Sequence, residues 1–156
     1  MQLADVLDAD RIALDLSVSS KKSLLEKASR LLASASEEGD AREIFESLCQ
    51  RERLGSTGLG HGVAIPHGRV SGQGEVTAAL IRLCMPIEFD APDQEKVDLF
   101  FAMAVPEHGS DVYLRLLADM AERLGNAKQR DLIRESESPD ALLKLFSVEP
   151  DSSSDT

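Results

Sequence analysis

The chain has no tryptophan, one tyrosine and two cysteines in 156 residues. Cys49 and Cys84 form no Cys-x-x-Cys pair, so neither a disulfide framework nor a cysteine metal site is expected, and both thiols read as reduced core residues. No stretch approaches the roughly 20 apolar residues that span a bilayer. The opening Met1-Gln2-Leu3-Ala4-Asp5-Val6 also lacks the basic segment and apolar run of a secretory signal. Positive charge is scarce as well: 17 Lys plus Arg stand against 28 Asp plus Glu, a net charge of -11. That field repels nucleic-acid phosphates and anionic membrane surfaces. The expectation is a cytoplasmic protein with no nucleic-acid partner and no membrane insertion.

What remains is an ordinary globular composition, 42% hydrophobic and 29% charged, at a length suited to one domain. The end of the chain, Asp151-Ser-Ser-Ser-Asp-Thr156, has no apolar residue. One domain over 1–148 followed by a disordered tail over 149–156 is expected.

Arg11 to Leu16 alternates like a strand, and Ser19 or Ser20 supplies an N-cap for a helix. Leu24, Leu25, Ala28, Leu31, Leu32 and Ala35 give that helix an apolar stripe and predict its end near Glu37 or Glu38. Asp40 with Glu43 caps a second helix, carried by Ile44, Phe45 and Leu48 to about Arg53. Val76 to Cys84 and Val97 to Val105 are near-continuous apolar runs, as in strands covered on both faces. Between them Pro86 to Phe89 reads as a short edge strand and Ala91-Pro92-Asp93 as a turn. A helix is predicted from Ser110 or Asp111 to Gly125 with Tyr113, Leu117, Met120, Ala121 and Leu124 buried, then a short one from Ala127. A last helix follows Ser138-Pro139, with Leu142, Leu143 and Phe146 on its apolar side.

Gly55, Gly58, Gly60, Gly62 and Gly68 interrupt this pattern within fourteen residues, and Pro66 stands among them. The segment reads as a loop built on backbone freedom, whose amides, with the hydroxyls of Ser56 and Thr57, suit an anion. The nucleotide-loop motif fails because His61-Gly62 stands where lysine and a hydroxyl residue are required. The dinucleotide fingerprint fails because no third glycine follows at the right spacing. Neither cofactor is expected. Nor is a metal, since the three histidines include no i, i+4 pair.

His67, between Pro66 and Gly68, is different. Neutral imidazole attacks phosphorus competently near pH 7, since its ordinary pKa of about 6.5 leaves one ring nitrogen with a lone pair. Arg51 or Arg69 could balance the charge of a phosphoryl group bound there. An isolated histidine is more commonly a surface or structural residue, and His61 and His108 read that way.

The segment Arg51-Glu52-Arg53-Leu54-Gly55-Ser56-Thr57-Gly58, continuing through Gly60, Gly62 and Ala64-Ile65-Pro66-His67-Gly68, resembles the signature of the fructose/mannitol-type enzyme IIA family. That family belongs to the bacterial phosphoenolpyruvate-dependent phosphotransferase system. The resemblance extends to Phe89-Asp90-Ala91-Pro92 and to the strand from Asp98-Leu99-Phe100 to Val105-Pro106. It implies an α/β fold, a mixed parallel and antiparallel sheet of about five strands with helices on both faces. His67 is then the phosphoryl acceptor from an HPr- or NPr-like phosphocarrier, and Arg51 the charge-balancing cation. No cofactor is implied.

Many relatives carry a second histidine where this chain has Tyr113, whose hydroxyl donates a hydrogen bond but carries no positive charge. Tyr113 is therefore either a site residue or a core-facing aromatic. The Gly-Ser-Thr-Gly-x-Gly text resembles the nitrogen-regulatory branch, whose targets include potassium-transport proteins and sensor kinases. A sugar-specific IIA component feeding a IIB domain, and a pure binding module with reduced phosphotransfer, are the alternatives.

Overall fold

The structure, a computed structural model, describes residues 2–37, 39–108 and 111–148. In chain order the elements are α1 (Leu3–Val6), a 3-10 turn (Ala9–Arg11), β1 (Ile12–Leu16), α2 (Lys21–Ala33), α3 (Ala41–Arg53), β2 (Gly58–Gly60), β3 (Val63–Ala64) and β4 (His67–Val70). There follow β5 (Thr77–Ile87), β6 (Val97–Pro106), α4 (Val112–Gly125), α5 (Ala127–Glu135) and α6 (Pro139–Phe146).

The two apolar runs become the long central strands. β5 and β6 pair antiparallel, β1 lies parallel to β5, and the far edge of β6 pairs in parallel first with β3 and then with β4. β2 runs antiparallel to β3 and completes a mixed, six-stranded sheet among the described residues.

Because side chains alternate along a strand, β6 divides its apolar residues between two cores. Leu99, Phe101, Met103 and Val105 pack under α1, α4, α5 and α6, while Phe100, Ala102 and Ala104 pack under α2 and α3. On the second face Ala79, Ala102 and Ala104 stand beside larger residues such as Ile81 and Phe100, under α2 and α3.

Helix starts follow local chemistry. Ser20 accepts from the Ser23 amide, Asp40 from those of Arg42 and Glu43, and Ser138 caps α6 with Pro139 at its first position. Two arginines are buried because each satisfies carbonyls at a helix end. Arg82 donates to the carbonyls of Ile133, Arg134 and Ser136, and Arg123 to those of Leu145 and Val148.

Several expectations are corrected. The glycine-rich segment is not a free loop: over residues 58–70 it forms three short strands, β3 and β4 along the edge of β6 and β2 outside β3. α2 ends at Ala33 rather than near Glu37, because Ser34, Ala35 and Ser36 turn back on i−3 carbonyls and the Ser34 hydroxyl donates to Leu31 at 2.6 Å; this leaves Ala35 exposed. Glu38 lies outside the described residues. Pro86 and Ile87 extend β5 instead of forming an edge strand, and Phe89 leaves the strand to pack edge-on against Phe100. In α4 the buried face is Leu116, Met120, Arg123 and Leu124, while Tyr113, Leu117 and Ala121 are half-buried. Cys84 is exposed and Cys49 half-buried. The expected tail lies outside the described residues.

Candidate functional site

β4 is held in place from both sides. Its residues pair with Met103 to Pro106 of β6, and the Ser47 hydroxyl of α3 donates to the Arg69 carbonyl at 2.6 Å. A Cβ on Gly68 would collide with the Ser47 hydroxyl and lie 3.0 Å from the Ser47 carbonyl carbon, so glycine is what lets α3 and β4 approach this closely. Val70 belongs to the core under α2 and α3. By the two-residue period His67 and Arg69 then project to the opposite face, on the side of α4.

There they line a cleft of about 400 Å³ between the end of α3, β4 and the start of α4, together with Arg51, Leu54 and Tyr113. Two arginines and no carboxylate line it among the described residues, although the whole chain is acidic. Arg51 donates through Nη1 to the Gly55 carbonyl at 2.9 Å. Arg69 donates through Nη1 to the Glu107 carbonyl at 3.0 Å and through Nη2 to the Tyr113 hydroxyl at 2.7 Å, with its guanidinium 4.9 Å from the centre of the Tyr113 ring. These contacts hold the second guanidinium at the cleft.

His67 is half-buried, and its Nδ1 lies 2.9 Å from the Ile65 carbonyl oxygen. A carbonyl oxygen only accepts, so Nδ1 carries the proton and Nε2 the lone pair. Burial lowers the His67 pKa below its ordinary 6.5, and the positive charge of Arg51 lowers it further; the bond to Ile65 and the charge of Glu52 oppose the shift. The ring is thus neutral at pH 7, with a fixed tautomer and one nucleophilic nitrogen.

Of the residues singled out in the sequence, the fold brings His67, Arg51, Arg69 and Tyr113 together. It does not bring Ser56 and Thr57 to the cleft. The Ser56 hydroxyl donates to the Phe89 carbonyl at 3.0 Å, and the buried Thr57 hydroxyl donates to the Glu52 carboxylate. Both are committed inside the fold, which corrects their reading as phosphate donors. His61 and His108 are exposed, and the His61 amide donates to Asp93.

The residue that reading by sequence missed is Glu52. It is buried, accepts from the Thr57 amide and hydroxyl, and pairs with Lys21 Nζ at 3.1 Å. A signal existed: Glu52 continues the buried stripe of Ile44 and Leu48 at four-residue spacing, and a carboxylate on a buried face requires partners.

Residues 5–148 match the family model described as phosphoenolpyruvate-dependent sugar phosphotransferase system, EIIA 2. A nitrogen regulatory protein of Pseudomonas aeruginosa is 40% identical over 145 residues, covering 93% of this chain and 94% of that one. The crystal structure of the nitrogen regulatory protein IIA-Ntr from Neisseria meningitidis superposes with a TM-score of 0.87 at 39% identity, over 92% of this chain and 98% of that one. The mannitol IIA crystal structure from Escherichia coli, at 18% identity and a TM-score of 0.72 over 89% and 97% of the two chains, shares the fold. No described helix is long and apolar enough to cross a membrane.

Proposed function

Since the chain belongs to the EIIA type 2 family of the phosphoenolpyruvate-dependent sugar phosphotransferase system, we propose that it is a phosphocarrier whose His67 Nε2 accepts a phosphoryl group from an HPr- or NPr-like donor. The observation that carries this reading is the bond from His67 Nδ1 to the Ile65 carbonyl, on a ring that lines an arginine-lined cleft.

The step is a direct exchange of partners. The donor's histidine N–P bond breaks as the lone pair of His67 Nε2 forms the new N–P bond, and the donor imidazole leaves with the electron pair. As phosphorus arrives the His67 ring gains positive character, and the Ile65 carbonyl opposite Nδ1–H stabilises it. Arg51 and Arg69 balance the phosphoryl oxygens, a role that needs fixed donors rather than a metal. Tyr113 holds Arg69 and replaces a second cation with a neutral hydroxyl. At the rim Leu54 is 84% exposed, an apolar side chain of the kind a protein donor covers.

The output is regulatory. A phosphoryl group adds about −1.5 to −2 charge at the cleft, enough to change which partner binds there. Potassium-transport proteins and sensor kinases are the target classes proposed, and the cytoplasm is where the donor would be met. Identities of 40% and 39% to nitrogen regulatory proteins, against 18% to mannitol IIA, favour this over service to a sugar permease.

Intact-mass measurement after incubation with a phosphorylated HPr-type donor tests the acceptor. Wild type is expected to gain one acid-labile phosphoryl group and His67→Ala none. Equal labelling of the alanine variant removes His67 from the role.

A further inference from the structure

We propose that Glu52 is the positioning residue of this site: its buried carboxylate fixes, through Thr57 and Ile65, the carbonyl that holds His67 Nδ1. The proposal rests on the acceptor reading of His67.

The connection is continuous in the structure. Glu52, in the last turn of α3, accepts from the Thr57 amide at 3.2 Å through both oxygens and from the Thr57 hydroxyl. The Thr57 carbonyl accepts from the Ile65 amide at 3.0 Å, and the Ile65 carbonyl accepts from His67 Nδ1 at 2.9 Å. Each bond fixes a backbone segment that otherwise has little regular structure, since β2 and β3 have only three and two residues.

The same carboxylate also fixes the cation. Residues 53–56 are closed into a tight turn between Glu52 and Thr57, with the Gly55 amide on the Glu52 carbonyl at 3.1 Å. The outer side of that turn presents the Gly55 carbonyl to Arg51 Nη1. Loosening Glu52 from Thr57 therefore releases nucleophile and arginine together.

The side chain of Glu52 is 4% exposed and that of its ion-pair partner Lys21 is 24% exposed. Lys21 is itself anchored, donating to the Phe89 carbonyl at 3.3 Å and lying 4.5 Å from the centre of the Phe89 ring. A carboxylate this deeply buried, with an amide, a hydroxyl and an ammonium around it, is fully committed. Glu52 does not line the cleft, so apart from the pull of its charge on the His67 ring its influence on the reaction is exerted through the groups it holds.

The test uses the full chain with Glu52→Gln, Thr57→Val and Thr57→Ser, each checked for folding by circular dichroism. The two readouts are single-turnover transfer from an excess of phosphorylated HPr-type donor, with kcat read as the rate at saturating donor and KM as the donor concentration at half that rate, and the nitrogen-15 spectrum of unphosphorylated His67. Thr57→Val leaves the ion pair with Lys21 in place, so it remains informative if Glu52→Gln does not fold.

The expected result is a fall in kcat of about tenfold or more with donor KM within about twofold, the pattern of a misplaced nucleophile. His67 should also change from one Nδ1–H tautomer to a mixture. Thr57→Ser, which restores the hydroxyl, should return both readouts to wild type. Folded Glu52→Gln or Thr57→Val protein with wild-type kcat and an unmixed Nδ1–H tautomer overturns the proposal. If wild type accepts no phosphoryl group, the acceptor reading fails on its own, and the tautomer still decides whether Glu52 sets the ring.

Discussion

At the scale of single residues, His67 couples reactivity to pH in a defined direction. Its pKa in the fold lies below 6.5 because burial disfavours the charged ring. The neutral nucleophile therefore persists below pH 6.5, and the rate of phosphoryl acceptance should stay flat there and fall only as pH passes the lowered native value. A rate profile that breaks at or above 6.5 would contradict this. The same shift has a stability consequence. Above 6.5 the ring is neutral in both states and its contribution is complete; as pH falls through 6.5 the unfolded chain binds the proton first, and stability declines until the native pKa is passed. Arg51 offers a cleaner separation of chemistry from folding. Its bond to the exposed Gly55 carbonyl contributes little to stability, whereas removing a donor aimed at developing charge typically costs about a hundredfold or more in rate. Arg51→Ala is expected to unfold at nearly the wild-type temperature while transferring about a hundredfold more slowly in single-turnover assays.

At the scale of elements, the contact between α3 and β4 decides whether the site exists. Gly68→Ala forces a Cβ against Ser47, and the two elements must separate or strain. Overpacking of this kind costs about 1–3 kcal/mol, so chemical denaturation should show that loss, and transfer should fall with it because His67 and Arg69 sit on the displaced strand. A variant as stable and active as wild type would mean that the packing yields more easily than the distances indicate. This is also the scale at which reading by sequence succeeds and fails. β5 and β6 were legible because near-continuous apolar runs reflect burial on both faces, and three helix starts were legible because Ser20, Asp40 and Ser138 act locally. β2, β3 and β4 were not, since two to four residues give alternation nothing to repeat, and their pairing with β6 is long-range. The site divides in the same way. Of the residues read from the segment's own text, His67 and Arg51 meet at the cleft, whereas Ser56 and Thr57 are held away from it by Phe89 and the buried Glu52, partners chosen by tertiary packing.

At the scale of the whole molecule, two cores share one pair of strands. β6 contributes Leu99, Phe101, Met103 and Val105 to one and Phe100, Ala102 and Ala104 to the other, and β5 divides likewise, so neither helical layer can detach without exposing a face of the same central strands. The expected behaviour is one cooperative transition. The composition supplies a reporter on each side. With no tryptophan in the chain, tyrosine fluorescence comes from Tyr113 alone and reports the α4 layer. Cys49 lies half-buried in α3 with its thiol pKa raised by burial, so its reactivity reports the opposite layer once exposed Cys84 has been changed to serine. Urea titration of Cys84→Ser followed by Tyr113 emission and by Cys49 labelling should give coincident midpoints. If Cys49 became reactive at a lower midpoint, α2 and α3 would form a separable layer.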